Sequence, residues 1–87
     1  MDTERTNITR EVGSRIRYAR KSRGMSMDEL AQAIYKTRSA ISKYENGQIS
    51  VDIATLYDIA NALKVSIYDL LHRNTPDIGQ EYNAEVP

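Results

Sequence analysis

The sequence predicts an all-α fold, a compact bundle of five short helices in one small domain. Three observations predict it. Apolar residues recur at spacings of three and four from Ile8 to Leu71. No stretch alternates apolar and polar residues in the manner of a half-buried strand. Capping residues and glycines punctuate the chain at short intervals. Its 87 residues, 40% of them hydrophobic, suit one domain with one modest core.

The first helix is marked by Ile8, Val12, Ile16 and Ala19. Thr9 is expected to cap its start, which leaves residues 1–8 as a flexible N-terminal arm. Gly24 is the natural stop, and Arg17, Arg20, Lys21 and Arg23 suit the negative end of the helix dipole. Ser26-Met27-Asp28-Glu29 reads as a capping box opening a second helix, with Met27, Leu30, Ala31 and Ile34 as its apolar stripe. That helix ends near Tyr35, because Thr37 caps the next one, Arg38 to Asn46, which Gly47 closes. Asp52 caps a fourth helix whose inner face is Ile53, Leu56, Ile59, Ala60 and Leu63. After the Lys64-Val65 turn, Ser66-Ile67-Tyr68-Asp69 is a second capping box, opening a fifth helix through Leu70 and Leu71. Thr75-Pro76 stops helix formation. The domain thus covers 9–72, and 73–87 reads as a polar tail, disordered or a linker. With no Phe or Trp, the tyrosines Tyr18, Tyr44, Tyr57 and Tyr68 are expected to supply aromatic packing, and His72 to lie on the surface.

Composition excludes several functions. The absence of cysteine rules out disulfides and thiolate metal sites. No catalytic Ser–His–acid set, glycine-rich phosphate loop or metal-binding spacing occurs, so neither an enzyme nor a metal site is expected. No apolar run approaches a membrane span and no signal peptide opens the chain, which points to a cytoplasmic protein. Net charge is zero, but it is unevenly spread. Residues 1–47 hold ten Lys/Arg against six acids, and residues 48–87 hold two against six. A basic half joined to an acidic half can meet a polyanion on one side.

The basic half contains "TRSAISKYENG", Thr37 to Gly47. At about 100° per residue, Arg38, Ser39, Ser42, Lys43 and Asn46 fall within one arc, and Ala40, Ile41 and Tyr44 fall opposite, with Glu45 at the border. A connection of two or three residues to the second helix makes the two cross steeply, with Ala31 as the small residue at the crossing and Ile41 facing it. The cationic, hydroxylic face is then left outside. Such a helix fits a major groove about 12 Å wide, where Arg and Lys donate to guanine edges and Ser to either partner.

At these residues the chain resembles a known family. "GSRIRYARKSRGMSMDELAQAIYKTRSAISKYENG" followed by "IATLYDIANALKVSIYDLL" is similar to the phage-repressor/Cro type of helix-turn-helix regulator, the XRE family, over roughly residues 10 to 72. The resemblance implies a lambda-repressor-like DNA-binding fold, no cofactor, and a transcriptional regulator, more often a repressor, that binds a two-fold-related operator on double-stranded DNA as a homodimer. It places base-reading roles on Arg38, Ser39, Ser42 and Lys43. Phosphate contacts fall on Thr37, Asn46 and Gln48 and on the backbone N–H at Met27, with Lys36 adding attraction. Arg20 and Glu45 match a buried ion pair, whose loss in Glu45→Ala would cost about 1–3 kcal/mol. Ile67, Tyr68 and Leu71 are candidate dimer contacts.

The chain also departs from the family. Tyr35 and Lys36 stand where a glycine and a small apolar residue are usual, Met27 replaces a glutamine, and Lys64 replaces a glycine. The rival reading is a protein-interaction module, an antitoxin or anti-regulator on the same fold, with DNA binding secondary. An RNA-associated role is disfavoured, because the outer face of the third helix offers no aromatic ring for base stacking.

Overall fold

The computed structural model describes residues 2–71, with side chains from Thr3. His72 and the tail expected at 73–87 lie outside the described residues. Five helices follow one another: α1 (Asp2–Ser22), α2 (Met27–Ala33), α3 (Arg38–Glu45), α4 (Ile53–Leu63) and α5 (Ile67–Leu71). No strand occurs among the described residues.

The helix starts follow from their caps. Ser26 Oγ accepts from the Glu29 N–H at 3.0 Å, and the Glu29 carboxylate accepts from the Ser26 N–H at 2.8 Å. Thr37 Oγ1 accepts from the Ala40 N–H. Asp52 accepts from both the N–H and the hydroxyl of Thr55, at 3.1 and 2.7 Å. The Thr55 side-chain bond, then its backbone bond, hold the Asp52 carboxyl below its ordinary value. At α5 the box is altered: Asp69 accepts from the Ser66 N–H, but Ser66 Oγ accepts from Tyr68 instead of Asp69.

The arm expected over residues 1–8 is corrected, because α1 already runs from Asp2. No glycine or proline interrupts the helix there, and Glu4 lies near its positive end. Thr9 does not cap; its hydroxyl donates to the Arg5 carbonyl one turn back, at 3.1 Å.

Four helix ends share one device. The N–H groups at Gly24 and Met25 reach the carbonyls of Lys21 and Arg20, and the same paired bonds recur at Tyr35–Lys36, Gly47–Gln48 and Lys64–Val65. The motif requires a left-handed residue at its pivot. Gly24 and Gly47 supply φ of 68° and 73°, but Tyr35 and Lys64 adopt 58° and 59° with a Cβ present. A non-glycine residue is strained there by about 1 kcal/mol. Tyr35 is 94% exposed, so its ring brings no compensating burial. Tyr35→Gly is therefore expected to stabilise the protein by about 0.5 kcal/mol, after the added freedom of the unfolded chain is subtracted. A lower midpoint in urea for the variant would show that the strain argument fails.

The core gathers Ile16 from α1, Leu30, Ala31 and Ile34 from and just after α2, Ile41 and Tyr44 from α3, Leu56, Ile59, Ala60 and Leu63 from α4, and Leu70 from α5. Tyr44 is core as expected, but Tyr18, Tyr57 and Tyr68 are exposed, as is Ile53. Tyr18 lies two residues after Ile16 and Tyr68 two before Leu70, which places each across its helix from the buried stripe. Tyr57 lies about 120° from the centre of the α4 stripe, and Ile53 sits at its edge in the first turn. Arg23, expected to serve the end of its own helix, instead closes α4. Its guanidinium donates to the Leu63 carbonyl at 2.7 Å and the Lys64 carbonyl at 2.9 Å.

Candidate nucleic-acid interface

α2 and α3 are joined by four residues, 34–37, slightly more than the two or three expected. Ala31 and Ile41 are both buried where the two helices pack, so α3 turns Ile41, Tyr44 and Glu45 inward. What remains outside is the predicted cationic face. Arg38, Ser39 and Lys43 are exposed and Ser42 is half-buried. The helix contains one acid, Glu45, and that acid is buried, so no carboxylate of α3 opposes an anion on this side.

The residues expected to meet phosphate surround this face. Lys36, Thr37, Asn46 and Gln48 are exposed, and Met27 is half-buried at the first position of α2. The hydroxyl of Thr37 is occupied as a cap. The charge of Lys36 contributes to the low pKa of Asp52, so this lysine already has an acidic neighbour. The backbone N–H of Met27 belongs to the first turn of α2, where no intrahelical acceptor exists.

Arg20 and Glu45 tie α1 to α3 beneath the face. Arg20 donates through Nε to Glu45 Oε2 at 2.6 Å and through a second nitrogen to Oε1 at 3.0 Å, a bidentate pair. Both residues are buried. A third bond runs from Arg20 to the Met25 carbonyl at 2.9 Å. The hydrogen bond to Glu45 raises the Arg20 pKa further, against the opposing effect of burial. Among the described residues, no buried side-chain nitrogen or oxygen lacks a partner.

Sequence reasoning placed Arg17 and Arg23 only at the charged end of α1, not against the partners they hold here, and did not single out Gly13. Arg17 donates to Glu45 Oε1 at 3.4 Å and to Asn46 Oδ1 at 3.1 Å. Gly13 is buried where α1 crosses the end of α3. The signal for Gly13 was present: a glycine inside a helix weakens it unless a close approach needs it. For the arginines no local signal exists, because their partners lie far along the chain. Ile67 is half-buried, while Tyr68 and Leu71 are exposed on α5, so the three expected dimer contacts do not form one uniformly open surface.

No cluster of three or more His, Cys, Asp and Glu placed to hold a metal ion occurs among the described residues. No helix among them is long and apolar enough to cross a membrane.

Known proteins share this fold. The helix-turn-helix family model HTH_3 matches residues 16–70. An uncharacterized transcriptional regulator in the ATPase CF(0) region of Rhodospirillum rubrum is 36% identical over 61 residues, which cover 70% of this chain and 56% of that protein. The chain thus spans just over half the length of that relative. The restriction-modification controller protein C.AhdI from Aeromonas hydrophila superposes with a TM-score of 0.72 at 28% identity, over 75% of this chain and 94% of the other. The clp gene regulator ClgR from C. glutamicum gives the same TM-score and identity over 74% and 83%. The chain belongs to the HTH_3 helix-turn-helix family, the phage-repressor/Cro or XRE type.

Proposed function

We propose that the protein is a sequence-specific regulator of transcription, a repressor, that places α3 in the major groove of double-stranded DNA. The observation that carries this reading is the outer side of α3, where Arg38, Ser39 and Lys43 are exposed beside half-buried Ser42 and the helix's single acid is turned inward. Arg38 and Lys43 supply donors for guanine O6 and N7. Thr37, Asn46, Gln48, Lys36 and the Met27 N–H flank them as phosphate contacts, which fix register without reading sequence. Repression follows from occupancy: a domain seated across an operator denies it to polymerase. A homodimer suits the exposed Tyr68 and Leu71 on α5 and would read half-sites about 34 Å apart, or a multiple of that. In a bacterium like the relatives' hosts, the operator lies in the cytoplasm.

The test is bind-and-sequence selection on random duplex DNA near physiological salt, with the wild type, Arg38→Ala and Lys43→Ala. The wild type is expected to enrich a two-fold-related motif. Each substitution should lower affinity for it roughly ten- to a hundredfold and relax one position per half-site. No motif, with binding that only fades as salt rises, would leave counterion release alone. It would favour the protein-interaction reading, with α5 as the first surface to probe.

A further inference from the structure

Arg17 lies on α1, outside the α2–α3 pair, yet it reaches the proposed recognition helix α3. Its guanidinium, 45% exposed along the side chain, donates to Asn46 Oδ1 at 3.1 Å. Asn46 Nδ2 in turn donates to Ser42 Oγ at 3.4 Å, the longest link of the chain. The polarity of this relay follows from chemistry alone. A guanidinium has donors and no acceptor. The oxygen of the Asn46 amide must therefore face Arg17, and its NH2 must face Ser42. Ser42 Oγ then receives a hydrogen bond from within the protein, and its own proton is free to be given away.

We infer that Arg17 is a specificity-determining positioning residue, which turns the Asn46–Ser42 pair so that Ser42 offers a donor to the DNA. This inference rests on the base-reading role proposed above for Ser42. A serine left to itself rotates its hydroxyl to suit either a donor or an acceptor. Accepting from Asn46 occupies one of the two lone pairs of Ser42 Oγ and polarises its O–H, so Ser42 donates more strongly than a free serine. It favours a base edge that presents an acceptor, which is guanine N7 or O6, adenine N7 or thymine O4. It disfavours the amino group of cytosine. Arg17 touches no base in this scheme. It acts through Asn46, and its bond to Glu45 at 3.4 Å anchors it from below.

The experiment is the same selection, run with the full chain as Ser42→Ala, Asn46→Ala, Arg17→Met and Arg17→Lys. Ser42→Ala identifies the base pair that Ser42 reads. Arg17→Met is expected to flatten preference at that same base pair, reducing discrimination against cytosine about two- to tenfold, the range of one net hydrogen bond. Asn46→Ala should flatten it equally. Arg17→Lys keeps a donor toward Asn46 Oδ1 and should restore most of the preference. A purely structural role would lower the melting temperature and leave the preference intact. A direct phosphate contact would weaken all sequences alike and reduce the salt slope by about one. Either result, without the local loss of preference, overturns the inference. If Ser42→Ala changes no position, the base-reading role of Ser42 fails and the inference fails with it, while motifs still lost in Arg38→Ala would leave the wider functional reading standing.

Discussion

Glu45→Ala is expected to destabilise the protein by about 3 kcal/mol, the upper end of the range expected from sequence. The size follows from burial. The Glu45 side chain has no exposed surface, and Arg20 keeps 8% of its own. Alanine removes both short bonds and leaves the guanidinium with the Met25 carbonyl as its remaining protein partner. Breaking a buried pair costs more than the pair contributes, because the surviving charge stays out of water. For a domain of this size the loss corresponds to a fall in melting temperature of roughly 12–24 °C. A second variant separates the two ideas. Arg20→Met combined with Glu45→Leu removes both charges while filling similar volume, and should recover most of the lost stability. Arg17→Met should cost far less, since that arginine is half-exposed and its contact with Glu45 is long. A Glu45→Ala melt that matches the wild type would mean that water reaches Arg20 and the pair is not sealed.

The starts of α2, α3 and α4 were legible because caps are local chemistry, whereas that of α1 was not, since Thr9 does not cap it. Ser26, Thr37 and Asp52 each bond a backbone N–H three residues on, and that pattern is visible in any window of four residues. The side of α3 that faces outward was equally readable, since Ile41 and Tyr44 fix the inner arc by period alone. The pivots at Tyr35 and Lys64 were only partly legible. Residue preference argues against a left-handed tyrosine, and packing of α2 on α3 overrides it. The exposed tyrosines show a different failure. Composition suggested that aromatic rings must fill the core, yet aliphatic residues and one tyrosine fill it. Arg17 and Arg23 were illegible for a simpler reason. Their partners stand 28 and 40 residues away, so nothing near them in the sequence distinguishes them from solvated charges on a helix.

Gly13→Ala is expected to have an effect of similar size, in the opposite direction from helix propensity. Alanine is preferred to glycine inside a helix by about 1 kcal/mol, so on an isolated α1 the change would stabilise. Here a Cβ at residue 13 would overlap the carbonyl oxygen of Tyr44 and stand 2.7 Å from that of Glu45. Both atoms are backbone at the C-terminal end of α3, where the Tyr44 carbonyl already accepts from the Gly47 N–H. Neither can rotate aside as a side chain would. Relief requires α1 to lift from α3, and that motion also pulls Ile16 from the core and Arg20 from Glu45. Overpacking of this kind costs about 1–3 kcal/mol and sometimes more. Because two backbone groups are struck at once, a net loss of about 2–3 kcal/mol is expected even after the propensity gain. Ser14→Ala is the control, since Ser14 is exposed on the same helix and should be neutral or slightly stabilising in the same melt. If Gly13→Ala instead matches that control, α1 and α3 are not pressed together, and the route by which Arg17 and Arg20 reach α3 loses its support.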